Sequence, residues 1–267
     1  MAQEPSAKRH QGETSDQSSN LNDVHVPGEK REYTRTLTRV ELHGKETLEI
    51  VCTSEPDKAD KMIGRFKMKS LGLYPRFIDV DVEFTRRDEP LQMAAVMQLC
   101  IGTMLGVPHR SSHKMVFYYT KRKINLKPKH LKNFLKEHKL YTFVGFSIED
   151  DKQMMKRSGL EIDPKGFIDI QRNWRVPYIS EKEYDSLADV AASVIHPFYK
   201  GMKNKIDKEK DLKLWGISPL PDYLIEYAAT DAYATYKSWK IIDNITVGAE
   251  ISKAREAGPY YHCHYAG

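Results

Sequence analysis

The sequence predicts an α/β fold in which a mixed five-stranded sheet carries helices on both faces and follows an N-terminal β-hairpin. Two observations lead to this prediction. Three consecutive apolar segments, at 76–84, 92–102 and 114–120, have the length and composition of strands. After them, segments with strand and helix periodicity alternate as far as a last long helix. A meander followed by such alternation is typical of a mixed sheet that is covered on both sides.

The periodicity of apolar residues predicts each element in turn. Alternating polar and apolar residues on both sides of His43-Gly44-Lys45 predict the hairpin. Residues 200–213, where lysines alternate with acids, are expected to form a solvated segment. The predicted elements are the hairpin at 33–40 and 46–52, a helix at 54–71, the strands at 76–84, 92–102 and 114–120, a helix at 128–140, a strand at 141–148, a helix at 149–158, a strand at 167–170, and helices at 186–195 and 222–243.

Composition indicates one globular domain between two tails. Of the 267 residues, 40% are hydrophobic and 30% are charged, as in ordinary globular proteins. Residues 1–30 contain almost no large apolar side chains, so we expect a disordered N-terminal tail. The predicted domain spans residues 31–247, and residues 248–267 are expected to be a C-terminal tail.

Cysteine content and hydropathy indicate the cellular compartment in which the protein is expected. Three scattered cysteines, Cys52, Cys100 and Cys263, are too few for a disulfide framework or a zinc site. This favours a reducing compartment, the cytoplasm or the nucleus. Because no apolar run approaches the roughly 18 residues of a membrane helix, no membrane is expected as a partner. The net charge of +5 permits an anionic partner without requiring one.

Acidic side chains alternate with apolar ones along the strand predicted at 76–84. Asp79, Asp81 and Glu83 share one face because successive side chains of a strand point to opposite sides. Neighbouring carboxylates on that face are only about 7 Å apart along the strand and repel each other. The strand is therefore either an edge strand with a polar face or part of a site that binds cations.

Tyr227 and Asp231 lie on the apolar stripe of the last predicted helix. They are four residues apart, so they lie one turn apart on the same helix face. A carboxylate among core-facing residues costs several kcal/mol unless it is paired or binds a metal. Either the two side chains bond to each other, or both serve a site built from other parts of the chain.

Asp151 follows the strand predicted at 141–148 by three residues. It is therefore expected at the carboxyl end of a central strand, where ligands bind in open α/β sheets. An acid in the first turn of a helix is also common because it interacts favourably with the helix dipole. Glu149 and Asp150 compete with Asp151 for any role.

Together, these acids predict a metal site. Asp81, Glu83, Asp151 and Asp231 would repel strongly if they converged without cations. Oxygen ligands without histidine or cysteine suit Mg²⁺ or Mn²⁺. Two such ions are the usual device for the attack of water on a phosphodiester, with Tyr227 placed to orient that water.

Four segments carry a resemblance to a known family: Asp81-Val82-Glu83; Met97-Gln98-Leu99-Cys100; Val144 and Gly145 followed by Ile148 and Asp151; and Tyr227 with Asp231-Ala232-Tyr233. In this order they resemble the DEDDy group of 3′–5′ exonucleases in the ribonuclease H-like superfamily. The pattern is most similar to the Werner-type exonuclease domains of plants. The resemblance covers residues from about 33 to 243.

The resemblance implies a ribonuclease H-like fold, two bound Mg²⁺ or Mn²⁺ ions, and release of 5′-monophosphates from the 3′ end of single-stranded RNA or DNA. It implies Asp81, Glu83, Asp151, Tyr227 and Asp231 as catalytic residues, with the four acids as metal ligands. It also places four residues near the nucleic acid. These are Phe84, Met93, Lys200 and Lys203, although Phe84 and Met93 could equally serve core packing.

Several features of the sequence allow more than one interpretation. The family has a small or apolar residue at the position of Asp79, so a pairing of Asp79 with Asp81 competes with the Asp81–Glu83 assignment. The lysine-rich stretch at 121–139 predicts either a nucleic-acid surface or a solvated helix face. A catalytically inactive nucleic-acid-binding or protein-interaction module would share the same fold. The exposed edge of the hairpin would permit a homo-oligomer.

Overall fold

The computed structural model describes residues 32–44, 46–71, 76–84, 94–102, 114–120, 129–173, 186–207 and 210–256. The predicted N-terminal tail and Met93 lie outside these residues, as does the part of the lysine-rich stretch before residue 129.

A single mixed sheet organises the described part of the chain. Its seven strands lie in the order β1-β2-β5-β4-β3-β6-β7. Strand β4 is antiparallel to both β3 and β5, whereas β3, β6 and β7 run parallel to one another. The strands are β1 (Thr34–Glu41), β2 (Thr47–Thr53), β3 (Phe77–Phe84), β4 (Ala94–Ile101), β5 (Lys114–Thr120), β6 (Thr142–Gly145) and β7 (Phe167–Asp169). The predicted mixed ribonuclease H-like α/β architecture is confirmed.

The N-terminal hairpin belongs to this sheet and does not merely precede it. Strands β1 and β2 pair antiparallel, and β2 pairs in parallel with β5, so the predicted count of five strands becomes seven. Leu48, Ile50 and Cys52 of β2 are almost fully buried in the core. The hairpin joins the sheet because this apolar face needs cover. Among the described strands, β1 then forms one edge of the sheet.

Helices cover both faces, as predicted, and two of them differ most in length from the prediction. Helix α2 has six residues instead of the predicted thirteen, and α6 has 35 residues and continues well beyond position 243. The α-helices are α1 (Pro56–Ser70), α2 (Lys129–Phe134), α3 (Glu149–Arg157), α4 (Ile170–Asn173), α5 (Leu187–Val194) and α6 (Asp222–Glu256). None of the helices in the described residues combines the length and apolar character needed to cross a membrane.

Two apolar clusters lie on opposite sides of the sheet. Helices α5 and α6 pack on one face, which we call the α6 face. Helices α1, α2 and α3 pack on the other, which we call the α1 face. Even-numbered residues of β3, such as Val80 and Val82, point into the α1 face. The odd-numbered acids of the same strand therefore point towards α6.

Candidate active site

Strand β3 presents Asp81 and Glu83 on the α6 face. Both side chains are half-buried, and their apolar neighbours on the strand anchor it in the opposite cluster. The Asp81 carboxylate accepts a hydrogen bond of 2.9 Å from the backbone N–H of Val82. Burial of alternate residues thus holds the two acids in a fixed orientation under α6.

Helix α6 places Asp231 and Tyr227 next to these acids. Ala228, Ala229 and Ala232 are fully buried, and their small side chains let the helix approach the sheet closely. Asp231 is 2% exposed and Tyr227 is 7% exposed. The one-turn spacing predicted from the sequence therefore places both side chains towards the acids of β3.

Asp81, Glu83 and Asp231 form a compact group, which we call the acid trio. One carboxylate oxygen from each lies within 4.8 Å of the others. The Oδ1 atom of Asp231 is buried and has no hydrogen-bond partner among the described residues. Three carboxylates at this separation repel one another unless a cation lies among them. An all-oxygen donor set of this kind fits Mg²⁺ or Mn²⁺.

Asp151 is the third residue of α3 and is 6% exposed. It does not belong to the acid trio, but it lies close enough to be repelled by it. Burial, together with the negative charges of Asp81 and Glu83, raises the pKa of Asp151 to about 9. The structure therefore brings all four predicted acids to one place. Glu149 and Asp150, which precede Asp151 on the helix, are exposed instead.

The loop before Asp151 is held by Asp169, a residue that no pattern in the sequence singles out. The carboxylate of Asp169 accepts hydrogen bonds from the backbone N–H groups of Ser147, at 3.0 Å, and Ile148, at 3.3 Å. Ser147 has a positive φ of 58°, so these bonds support an unfavourable backbone conformation. Asp169 ends strand β7, directly beside the loop. Only pairing of β6 with β7 reveals this role.

Gly145 permits α3 to start close to β3. A Cβ atom at this position would lie 2.9 Å from the carbonyl oxygen of Val80 and 2.4 Å from a methyl group of Ile148. The carbonyl oxygen of Val80 belongs to the backbone of the sheet. A larger side chain at position 145 would therefore push the loop away from the sheet. The glycine in the Val144-Gly145 motif therefore contributes to the position of Asp151.

Burial and mutual repulsion raise the pKa values of the acid trio. Burial raises the pKa of Asp231 to about 6, although the Lys203 ammonium opposes this change. Burial, followed by the charges of Asp81 and Asp231, raises the pKa of Glu83 well above its ordinary value. Burial also raises the pKa of Asp81, again against the effect of Lys203. Without a bound cation, this group of acids resists full ionisation.

Among the predicted nucleic-acid contacts that the structure describes, Lys203 is the one that reaches the acid trio. Its ammonium donates a hydrogen bond to Oδ2 of Asp231 and lies 5.4 Å from the centre of the Tyr227 ring. The segment expected to be solvated is instead anchored by Met202 and Ile206, which are 1% and 9% exposed. The 3₁₀ helix Pro197–Lys205 packs against α5 and directs Lys203 inwards.

Asp79 is buried behind the acid trio and completely inaccessible. Among the described residues, neither of its carboxylate oxygens has a hydrogen-bond partner, and the same holds for both polar atoms of Gln98. Gln98 lies opposite Asp81 on β4. Burial, followed by repulsion from Asp81, raises the pKa of Asp79 well above its ordinary value. The compact acid group contains Glu83 and not Asp79, which favours the Asp81–Glu83 assignment.

The remaining predicted contacts lie away from the acid trio. Phe84 packs half-buried against the apolar cluster of the α1 face, opposite the acids. Lys200 is largely exposed and pairs with Asp189. Of the lysine-rich stretch, the described members Lys129, Lys132, Lys136 and Lys139 are exposed on and after α2, which packs on α1.

One solved structure supports the fold, and two others are similar to this chain at lower TM-scores. The exonuclease domain of Nibbler from Aedes aegypti is 15% identical, with a TM-score of 0.51, and the match covers 74% of this chain and 88% of that one. RNase D from Escherichia coli is 18% identical, with a TM-score of 0.48, and the catalytic core of RRP6 from Trypanosoma brucei is 12% identical, with a TM-score of 0.47. Each of these two matches covers 76% of this chain but less than half of the other, 45% and 48%.

Comparison with curated proteins gives no match. The sequence profile of the 3′–5′ exonuclease family matches residues 53–246, which is most of the chain and spans all four acids and Tyr227. On this match, the chain belongs to the 3′–5′ exonuclease family.

Proposed function

We propose that this chain is a metal-dependent exonuclease that hydrolyses phosphodiester bonds from the 3′ end of single-stranded RNA or DNA and releases 5′-monophosphates. The observation that carries the proposal is the acid trio, whose oxygens lie within 4.8 Å of one another. Family membership adds support, because the matched residues 53–246 include the whole trio. Carboxylates this crowded are unfavourable in a protein unless they serve a cation.

Asp81, Glu83, Asp151 and Asp231 would hold two Mg²⁺ or Mn²⁺ ions. Bound ions of this kind activate the attacking water and stabilise the charge on the leaving oxygen. The protein contributes a rigid frame, because β3, α3 and α6 each hold their acids through buried neighbours. Asp169 and Gly145 fix the start of α3, so they act as positioning residues for Asp151.

Tyr227 acts in this proposal as a hydrogen-bond donor and not as a base. Burial, followed by the negative charge of Asp231, raises the pKa of its hydroxyl above the ordinary value. The hydroxyl therefore keeps its proton at neutral pH and donates it to a hydrogen bond. From its place beside Asp231, it would orient the attacking water.

The nucleic acid would enter through a cavity of about 230 Å³ beside the trio. Its walls combine acidic, basic and apolar groups, which suits a strand with charged phosphates and stacked bases. The lining residues are Asp81, Phe146, Ser186, Leu187, Lys203 and Thr235. We propose Lys203 as a phosphate contact, with Lys200, Phe84 and Met93 as further contacts along the strand.

We also propose that the chain belongs to the DEDDy group, with similarity to the Werner-type domains of plants, and that it is located in the cytoplasm or nucleus. Among the described strands, β1 lies at the edge of the sheet, and pairing of such an edge with a second copy would support a homo-oligomer.

A catalytically inactive nucleic-acid-binding or protein-interaction module is the second candidate. One observation favours it: the Lys203 ammonium already bonds to Asp231 and partly neutralises the trio without any metal. An inactive protein would keep this ion pair permanently and would not need divalent ions.

Degradation of single-stranded RNA and DNA, labelled at the 3′ or the 5′ end, tests the proposal. We expect stepwise shortening from the 3′ end with Mg²⁺ or Mn²⁺, abolished by EDTA. Asp81→Asn should reduce the rate by about 10³-fold, since a lost metal ligand removes several kcal/mol of transition-state stabilisation. Glu161→Gln is the control, because Glu161 is an exposed acid that does not belong to the acid trio. A folded wild-type protein that cleaves neither substrate with either ion would support the inactive module.

A further inference from the structure

Lys203 contacts the acid trio through Asp231. Its ammonium donates a hydrogen bond to Oδ2 of Asp231, and one carboxylate oxygen of Asp231 lies within 4.8 Å of oxygens of Asp81 and Glu83. Burial disfavours the charged form of Lys203 itself, yet attraction to Asp231 holds its pKa above the ordinary value. The ammonium is thus a cation in the place where the proposed metal ion would be bound.

The carboxylate that binds Lys203 is also a proposed metal ligand. Lys203 bonds to Oδ2 of Asp231, while Oδ1 of the same group is buried without a partner among the described residues. A divalent ion held by the trio would share this small volume with the ammonium, and two cations in contact repel. The Lys203 side chain is 37% exposed, so it has room to move towards solvent.

We propose that Lys203 is the internal counter-ion of the acid trio and that it sets the affinity for divalent ions by competing with them for Asp231. This inference rests on the proposed metal site. In the metal-free protein, Lys203 stabilises the trio by partly neutralising it. When a divalent ion binds, the ammonium leaves Asp231 and remains at the cavity wall, where an anionic phosphate would enter.

A simpler role for Lys203 leads to different behaviour. If the ammonium only supported the fold, its removal would destabilise the protein at every metal concentration and leave metal affinity unchanged. If it assisted metal binding by ordering Asp231, its removal would weaken that affinity. Competition alone predicts tighter binding after removal.

The test is calorimetric titration of Mn²⁺ into the full chain at pH 8, without nucleic acid. Lys203→Met keeps the length of the side chain and removes its charge, and we expect Mn²⁺ to bind at least about 10-fold more tightly. Lys203→Arg should bind Mn²⁺ more weakly than the wild type, because a guanidinium pairs more firmly with a carboxylate. Lys205→Met is the matched control, since Lys205 lies on the same 3₁₀ helix but its ammonium lies over the Phe198 ring, 5.2 Å from the ring centre, and the Mn²⁺ affinity of this variant should not change.

Thermal unfolding supplies a second readout. We expect Lys203→Met to have a lower Tm than the wild type in EDTA, and the difference to disappear in saturating Mn²⁺. Equal or weaker Mn²⁺ binding by Lys203→Met would overturn the inference and leave the exonuclease proposal intact. If Lys203→Met fails to fold in EDTA, unchanged or tighter binding by Lys203→Arg would overturn it. Absence of Mn²⁺ binding in the wild type and all variants would overturn this inference and the proposed function together.

Discussion

The two faces of the central sheet differ in the polarity of their buried side chains and in the hydrogen bonds that those side chains make among the described residues. On the α1 face, β3 and β4 contribute only apolar residues. Beside the half-buried Phe84, they include six that are no more than 4% exposed: Ile78, Val80, Val82, Met97, Leu99 and Ile101. On the α6 face, the same two strands contribute Asp79, Asp81, Glu83 and Gln98, several of whose polar atoms are buried without a partner among the described residues. One face therefore stabilises the fold, while the other bears an electrostatic cost.

This division has a physical basis in the pleat of β3. Alternate residues of one strand face opposite ways, so a short segment can anchor itself on one side and hold acids on the other. Crowded carboxylates remain in place because the apolar face contributes enough free energy of burial to offset their repulsion. Stability and metal binding should therefore respond to substitutions on different faces.

The largest expected effect on stability comes from the α1 face. Leu99→Ala should lower the free energy of unfolding by about 2–5 kcal/mol, because it removes a fully buried side chain and leaves a cavity. Urea unfolding in EDTA measures this change. The matched variant is Gln98→Met, its neighbour on the α6 face, which should change stability by less than about 1 kcal/mol or increase it. Equal losses in both variants would remove the distinction between the faces.

The second effect is a dependence of metal-free stability on pH. Asp231 and Asp151 have pKa values raised to about 6 and about 9, whereas in the unfolded chain such groups titrate near pH 4. The folded protein therefore retains protons that the unfolded chain has released. The contribution of these two groups to the free energy of unfolding is therefore greatest below about pH 4. It falls as the pH rises through 6 and on towards 9.

For one group, this fall is at most about 1.4 kcal/mol per pH unit. Unfolding free energies measured in EDTA from pH 5 to pH 9 should show it, and Asp151→Asn should reduce the slope above pH 6. Saturating Mn²⁺ should reverse the trend, since ionised carboxylates bind the ion more tightly. A flat profile in EDTA would contradict the raised pKa values.

The smallest effect concerns Asp79. Asp79→Asn should raise the unfolding free energy in EDTA by about 1–2 kcal/mol at pH 7.5, because it removes an acid that has no partner among the described residues. The Mn²⁺ affinity of the variant, measured by calorimetry, should stay within a few-fold of the wild type. A loss of Mn²⁺ affinity comparable to that of Asp81→Asn would instead make Asp79 a member of the metal site.

Helix α6 shows how much of an element can be predicted from a short stretch of sequence. Its helical periodicity and the Tyr227–Asp231 spacing were predictable, because both depend on residues within one or two turns. Its last turns to Glu256 were not, since the tail after residue 243 shows no clear apolar stripe. For α2 the prediction was too long. The amphipathic pattern extends over residues 128–140, but the helix ends at Phe134.

The sequence by itself determined most of the element order and the mixed sheet, because each follows from periodicity within a short window. The four acids with Tyr227 were predicted from a resemblance in motif order. Only the tertiary structure decided which groups meet. Lys203 and Asp231 are 28 positions apart, Ser147 and Asp169 are 22 apart, and β2 pairs with β5 across more than sixty residues. Such contacts depend on how whole elements pack, and burial, not local pattern, left Asp79 and Gln98 without partners among the described residues.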